Sequence, residues 1–220
     1  MIKKFYKWLH NITSKPEEAN EYSAGYWQSK VRAVAIELCR KKKGKLLEVG
    51  CGEGLFLAEL ALANKELQIY GIDRWKVILQ KADKRLNGKG IKNVSLSLMD
   101  AASLSFEDSY FDTVVCINVL FNLESLGVVK KVLIEIARVC KKNGRVIFDF
   151  RNSKNPLLYF KYKLAPYYDK TVKNLPLKTY SLEGMRSLSE ELGFKIISDI
   201  PIGFFIKRIA PIIILKLEKQ

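Results

Sequence analysis

The residues whose types and spacing could do chemistry are densest in Glu48-Val49-Gly50-Cys51-Gly52-Glu53-Gly54. Three alternating glycines let a backbone turn sharply and let a ligand lie against main-chain atoms, because no Cβ stands in the way. A dinucleotide fingerprint would need glycine or alanine where this chain has Leu55, and a P-loop would need Gly-Lys-Ser/Thr, which is missing. Both phosphate readings weaken. Glu48 and Glu53 would repel a pyrophosphate and suit a ligand with an ammonium or other positive group. Asp73 comes about twenty residues later, at the strand end where a carboxylate can accept both hydroxyls of a ribose, so a nucleoside is implied. Asp100 ends the next strand-like run; its carboxylate can accept from an adenine amine while Ala101 offers a backbone N–H, or it can cap a short turn over 101–104. Asn118 ends the run after that, beside the same crevice, whereas Asp112 reads as support for a turn.

These positions require strands that end together. KLLEVG (45–50) leads through the glycines into LFLAELALA (55–63), whose unbranched apolar residues favour helix. LQIYGID (67–73), a helix over 75–88 and NVSLSLMD (93–100) follow. FDTVVCIN (111–118) reads as a fourth strand, LGVVKKVLIEIARVC (126–140) as an amphipathic helix with Asn143-Gly144 at its exit, and RVIFDF (145–150) as a fifth strand. A helix over 181–192, FKIISDI (194–200) and an apolar run to Leu217 close the order, the last two as a strand pair. Strands alternating with helices call for an α/β parallel sheet, which binds ligands at the carboxyl ends of its strands. Two segments stand outside the alternation: residues 1–44, a helical lead-in, and residues 151–180, an insert containing Pro156, Pro166 and Pro176.

Composition narrows the class. Apolar residues make up 48% and charged residues 28%, as in folded globular chains, and the formal net charge of +15 favours an anionic partner. Cys39, Cys51, Cys116 and Cys140 form no CxxC pair, which suggests neither a disulfide framework nor a zinc site and points to a reducing, cytoplasmic setting. Lysines interrupt every apolar stretch of MIKKFYKWLHNI, and no run reaches the roughly 18 residues of a spanning helix, so neither a cleaved signal nor a membrane span is expected.

Taken in order, LLEVGCGEG, GID, LMDAASLSF, FDTVVCINVLFNL and KKNGRVIFDF resemble the successive motifs of class I S-adenosylmethionine-dependent methyltransferases of the small-molecule type. The resemblance spans Gly44 to Phe150 and continues through LEGMRSLSEELGFKIISDI. It implies a Rossmann-like, seven-stranded, mostly parallel sheet with helices on both faces and an antiparallel last strand. It also implies S-adenosyl-L-methionine as cofactor and S-adenosyl-L-homocysteine as product, with Gly50 and Gly52 at the methionine part, Asp73 at the ribose, and Asp100 with Ala101 at the adenine. The expected cofactor-binding set is therefore Glu48, Gly50, Cys51, Gly52, Gly54, Asp73, Arg74, Asp100, Ala101 and Asn118. Many members carry a histidine where this chain has Asn122, so no histidine base is carried over.

A sulfonium methyl is already activated, so its in-line transfer needs positioning and shielding from water more than covalent help. The lone histidine, His10, lies in the lead-in; Asp149, Tyr22, Tyr26 and Tyr159 are candidates for a general base, and the sequence nominates none of them. The insert 151–180 carries seven basic residues against Asp169 alone, interleaved with aromatics, which suits an anionic or aromatic acceptor, small or lipid-like, or else a solvated lid. Ile2, Phe5, Leu9 and Ile12 recur at helical spacing among Lys3, Lys4 and Lys7, so residues 1–12 read either as a membrane-surface helix or as a cap over the cofactor. Tyr22, Tyr26 and Trp27 are lid candidates. Two domain-level units result: a lead-in or lid over 1–44, and a methyltransferase domain over 45–220 with 151–180 on the substrate side. An RNA methyltransferase is the alternative that the charge suggests, but Asn118-Val119-Leu120-Phe121 is not the Asn/Asp-Pro-Pro-aromatic tetrad of base-amino methylases. A non-catalytic S-adenosylmethionine-binding protein is the third reading.

Overall fold

The computed structural model describes residues 26–158, 176–203 and 207–220. Its frame is one seven-stranded sheet in the order β3-β2-β1-β4-β5-β7-β6. The strands are β1 (Lys45–Val49), β2 (Gln68–Asp73), β3 (Val94–Leu98), β4 (Phe111–Cys116), β5 (Cys140–Arg151), β6 (Phe194–Ile202) and β7 (Ile212–Lys219). β1 pairs in parallel with β2 and β4, and β3 and β5 extend the parallel ladder outward. β7 runs antiparallel to both β5 and β6, so the one reversed strand lies inside the sheet.

The helices are α1 (Tyr26–Cys39), α2 (Leu55–Ala63), α3 (Lys76–Gly88), α4 (Leu126–Val139) and α5 (Leu182–Glu191). The central strands need cover on both faces. β1 shows it, because Leu46, Leu47, Glu48 and Val49 are all buried with no alternation. On one face α1, α2 and α3 contribute Val31, Ala35, Ile36, Phe56, Leu57, Leu60, Leu79 and Leu86 to a core shared with Leu46, Ile69 and Val115. On the other, α4 and α5 bring Val129, Val132, Leu133, Ile136, Met185 and Leu188 against Leu47, Val114, Val146 and Phe148. Ser125 caps α4 by accepting from Val128 N at 3.3 Å, and Ser181 caps α5 by accepting from Gly184 N at 3.0 Å.

Three boundaries differ from the sequence reading, the first being β3, which stops at Leu98 and leaves Asp100 two residues beyond it. β5 opens at Cys140 rather than Arg145: Phe111 pairs with Cys140 and Thr113 with Arg145, leaving Lys141–Gly144 as a bulge in which Asn143 takes φ 61°. Asn143-Gly144 therefore marks a strand irregularity and not the exit of α4. β4 stops at Cys116, which puts Asn118 beyond the strand with φ 60°. The lead-in is described only from Tyr26, where α1 begins, so the amphipathic reading of residues 1–12 and the lid candidate Tyr22 lie outside the described residues. At the two ends of the 151–180 insert, Tyr180 N donates to Arg151 O at 2.8 Å, Ser153 N to Tyr180 O at 2.9 Å and Lys178 N to Phe121 O at 2.8 Å. The chain thus leaves and rejoins the sheet at one place, past the carboxyl end of β5. No described helix is long and apolar enough to cross a membrane.

Candidate functional site

The glycine turn leaves β1 and is fastened to the end of β2. Gly50 N and Cys51 N both donate to Ile72 O at 2.8 Å. Gly50 has φ 74°, and a Cβ built on it would sit 2.4 Å from Val119 Cγ2. That position excludes larger residues twice over, by backbone conformation and by space. Gly54, φ 75°, is the residue before α2, and its Cβ would meet that of Ala82 on α3 at 3.0 Å. Cys51 is buried beneath the turn, and burial pushes its thiol well up, as do the neighbouring charges of Glu48 and Asp73. It is therefore a space-filling thiol and not a nucleophile.

Asp73 ends β2 with its carboxylate already oriented. Oδ2 accepts from Gly52 N at 2.9 Å and Oδ1 from Trp75 N at 3.0 Å. Each oxygen keeps lone-pair capacity for a further donor. Asp73 pairs in register with Leu98, and Met99 N donates to Asp73 O at 3.2 Å, which brings Asp100 to the adjoining strand end. Asp100 is exposed. Its Oδ1 accepts from Ala102 N at 2.8 Å and its carbonyl from Ser103 N at 3.1 Å, so it caps the 101–104 turn while Oδ2 stays available. Ala101 is half-buried, and Arg74 is exposed with its guanidinium 5.3 Å from the Trp75 ring centre.

The two acids of the loop part company. Glu48 is only 3% exposed, and its Oε2 has no hydrogen-bond partner among the described residues. Burial pushes its carboxyl well above the usual range; the positive charge of Arg32 opposes this and the charge of Asp73 adds to it. Glu53 does not face a ligand as the sequence suggested. Its buried carboxylate accepts from Lys81 Nζ at 3.0 Å and its carbonyl from the Arg85 guanidinium, because the close packing of Gly54 on Ala82 draws α3 over it.

Asn118 is held by a network that sequence reasoning missed. Its N–H donates to Asp149 Oδ1 at 2.5 Å, its Oδ1 accepts from Arg151 Nη2 at 3.1 Å, and its Nδ2 reaches Gln28 O in the first turn of α1 at 3.5 Å. Arg151 also donates from Nη1 to Asp149 Oδ2 at 2.6 Å and lies 4.1 Å over the Phe121 ring. Asp149 is fully buried; burial raises its carboxyl, and Arg151 and the Asn118 N–H pull it back. With both oxygens engaged and no solvent contact, it is a structural anion and not a general base. Two cues lay in the sequence: Asp149 and Arg151 stand two apart on one strand face, and asparagine tolerates the left-handed region. Asn122 Nδ2 donates to Asn118 O at 3.4 Å while its buried Oδ1 stays unpartnered among the described residues. Tyr26 is 42% exposed at the start of α1, and Tyr159 lies outside the described residues.

Comparison with known proteins gives a consistent answer. Residues 40–197 match the family described as a methyltransferase domain. The chain is 35% identical over 148 residues to a phosphatidylethanolamine N-methyltransferase of Cereibacter sphaeroides, covering 66% of this chain and 70% of that one. It is 29% identical over 186 residues to a ubiquinone/menaquinone biosynthesis C-methyltransferase of Burkholderia mallei, covering 81% and 75%. Its fold superposes with a TM-score of 0.65 on the magnesium protoporphyrin IX methyltransferase of Synechocystis PCC 6803 crystallised with SAH, at 18% identity and covering 87% and 80%.

Proposed function

Because the chain belongs to the methyltransferase-domain family, we propose that it moves a methyl group from S-adenosylmethionine, by in-line displacement, to a small lipid-like acceptor. It is an S-adenosylmethionine-dependent methyltransferase of the small-molecule type. The residues present fit that cofactor on one observation: Glu48 Oε2, beside the glycine turn, is a buried oxygen with no donor among the described residues. When bound, the cofactor supplies a sulfonium methyl that is electrophilic without further activation.

The chain's own residues then bind and orient. Gly50 and Gly52 present main chain to the methionine part, with Glu48 toward its ammonium, and Asp73 accepts from the ribose. Asp100 and Ala101 flank the adenine, and Gly54, Cys51, Arg74 and Asn118 shape the surrounding wall. The observation that carries this reading is the Asp73 carboxylate, fixed by the Gly52 and Trp75 N–H groups. Binding costs it little further side-chain freedom. A lipid-like acceptor is supported by the relative that methylates phosphatidylethanolamine, and by a second relative in quinone biosynthesis. The ends of the 151–180 insert close on Phe121 beside the crevice, where such an acceptor would enter.

The test is incubation of the full chain with methyl-labelled S-adenosylmethionine and fractionated cell extract. Label is expected in the lipid-soluble fraction and should be lost with Asp73→Ala. At about 1.5–3 kcal/mol for each hydrogen bond to a charged group, that substitution should weaken S-adenosylhomocysteine binding at least tenfold by calorimetry. Label confined to RNA or protein would overturn the acceptor reading; unchanged S-adenosylhomocysteine affinity in Asp73→Ala would overturn the site.

A further inference from the structure

At the amino ends of β1, β4 and β5, across the sheet from the glycine turn, lies a cavity of about 310 Å³. Lys42, Lys43, Lys141, Lys142 and Arg145 line it, and Asp112 is its one acid. We propose that this cavity is a second ligand site, one that binds a small phosphate-bearing anion such as a diphosphate.

Charge makes the first argument. Five cations gathered around so small a hollow repel one another, and an anion seated among them relieves that repulsion. Asp112 compensates just one of the five, Lys141, whose Nζ donates to its Oδ1 at 2.7 Å, while its Oδ2 accepts from Lys45 N at 2.8 Å. Arg145 is paired with Glu218 at 2.5 Å, and Lys43 only loosely with Glu66 at 3.6 Å. Lys42 and Lys142 have no ion pair among the described residues, so two of the lining ammonium groups stand uncompensated.

The walls are also specified in the backbone. Gly44, φ 84°, allows the chain carrying Lys42 and Lys43 to fold over Asp112, since a Cβ there would lie 2.2 Å from Asp112 Oδ2. Across the hollow, the bulge that presents Lys141 and Lys142 turns through Asn143 at φ 61° into Gly144, whose Cβ would fall 2.7 Å from Lys141 O. Two tight turns thus hold basic pairs against each other, which diffuse surface charge would not require.

Size and place select the ligand. The volume sits at the lower end of the roughly 300–1,000 Å³ of small-molecule pockets, which suits a compact phosphorylated molecule better than a polymer strand. The five residues of β1 separate the cavity from the crevice by about 16 Å along the strand, so one small ligand does not span both. A membrane lying against this edge would turn the crevice away from the lipid.

The probe is inorganic pyrophosphate, titrated calorimetrically into the full chain at low salt. Saturable one-to-one binding is expected, weakened at least tenfold in Lys42→Gln/Lys142→Gln and weakened in part by Lys142→Gln alone. It should be unchanged in Lys84→Gln/Lys89→Gln, which removes the same charge from the exposed side of α3 and the residue just past its end, and S-adenosylhomocysteine should not compete. Absence of saturable binding, or equal weakening in both double variants, overturns the proposal. So does a dependence on Lys42 and Lys142 seen with phosphatidylglycerol vesicles or an oligonucleotide but not with pyrophosphate.

Discussion

Substituting Gly50 tests the turn directly. Gly50→Ala forces an L-residue to φ 74° and drives a methyl to 2.4 Å from Val119 Cγ2. The left-handed conformation costs roughly 1–2 kcal/mol and the overpacking about 1–3 kcal/mol more. The two combine to about 2–5 kcal/mol, or some 4–20 °C in Tm for a chain of this size. Val119 Cβ lies 3.5 Å from the added carbon, an ordinary contact, so Val119→Ala removes the clash and leaves the backbone cost. Urea unfolding of both single variants and the double variant should give a coupling of about 1–3 kcal/mol in favour of the double, at constant m-value. Additivity within about 0.5 kcal/mol would show that Val119 does not close over Gly50, and the packing described for the glycine turn would be refuted.

Three further outcomes follow from the charges and thiols. Arg151→Met should destabilise by about 3–5 kcal/mol at pH 8, because it strands the buried Asp149 carboxylate. The folded protein then holds that proton more tightly than the unfolded chain, so stability falls as pH rises above the ordinary carboxyl range. The deficit should accordingly shrink at pH 5, and an equal loss at both pH values in denaturant titrations would contradict the assignment. Glu48, raised by burial, should lose its proton when a ligand ammonium arrives. S-adenosylhomocysteine binding should tighten from pH 5 to 8 with proton release by calorimetry, and Glu48→Gln should flatten that slope; an identical slope would remove Glu48 from the site. Burial pushes the Cys39 and Cys140 thiols up to about 12. At pH 8 only about 10⁻⁴ of each is thiolate, so iodoacetamide should leave the native cysteines unmodified for hours and react with all four in urea.

Where spacing and strand ends decide the outcome, the sequence was enough to read. The strand-turn-helix from Lys45 to Ala63 and Asp73 at the end of β2 follow from local pattern plus the parallel-sheet rule, whereas β3 stops at Leu98 and leaves Asp100 two residues past it in a turn. What escaped depends on side chains far apart in the chain. Glu53 looked like a ligand group until Lys81, on the next helix, took its carboxylate. Asp149 looked like a base because its partners, Arg151 and the Asn118 N–H, meet only when β4 and β5 are paired. The start of β5 was misplaced because Asn143-Gly144 punctuates a bulge as readily as a helix exit. The basic cavity draws on residues about a hundred positions apart, brought together by the β1–β4–β5 ladder, and no local pattern announces it.

The place of β7 bears on how the chain is made. Val146–Phe150 of β5 finds its second ladder partner only in Ile213–Leu217, which follows the other six strands in chain order. Until that segment has emerged from the ribosome, β5 exposes an apolar open edge and β6 has no sheet to join, the state most exposed to misassociation. Nascent chains halted before residue 212 should therefore occupy chaperones and aggregate when these are depleted. Were the seventh strand at the edge of the sheet, the rest of the ladder could close before it emerged.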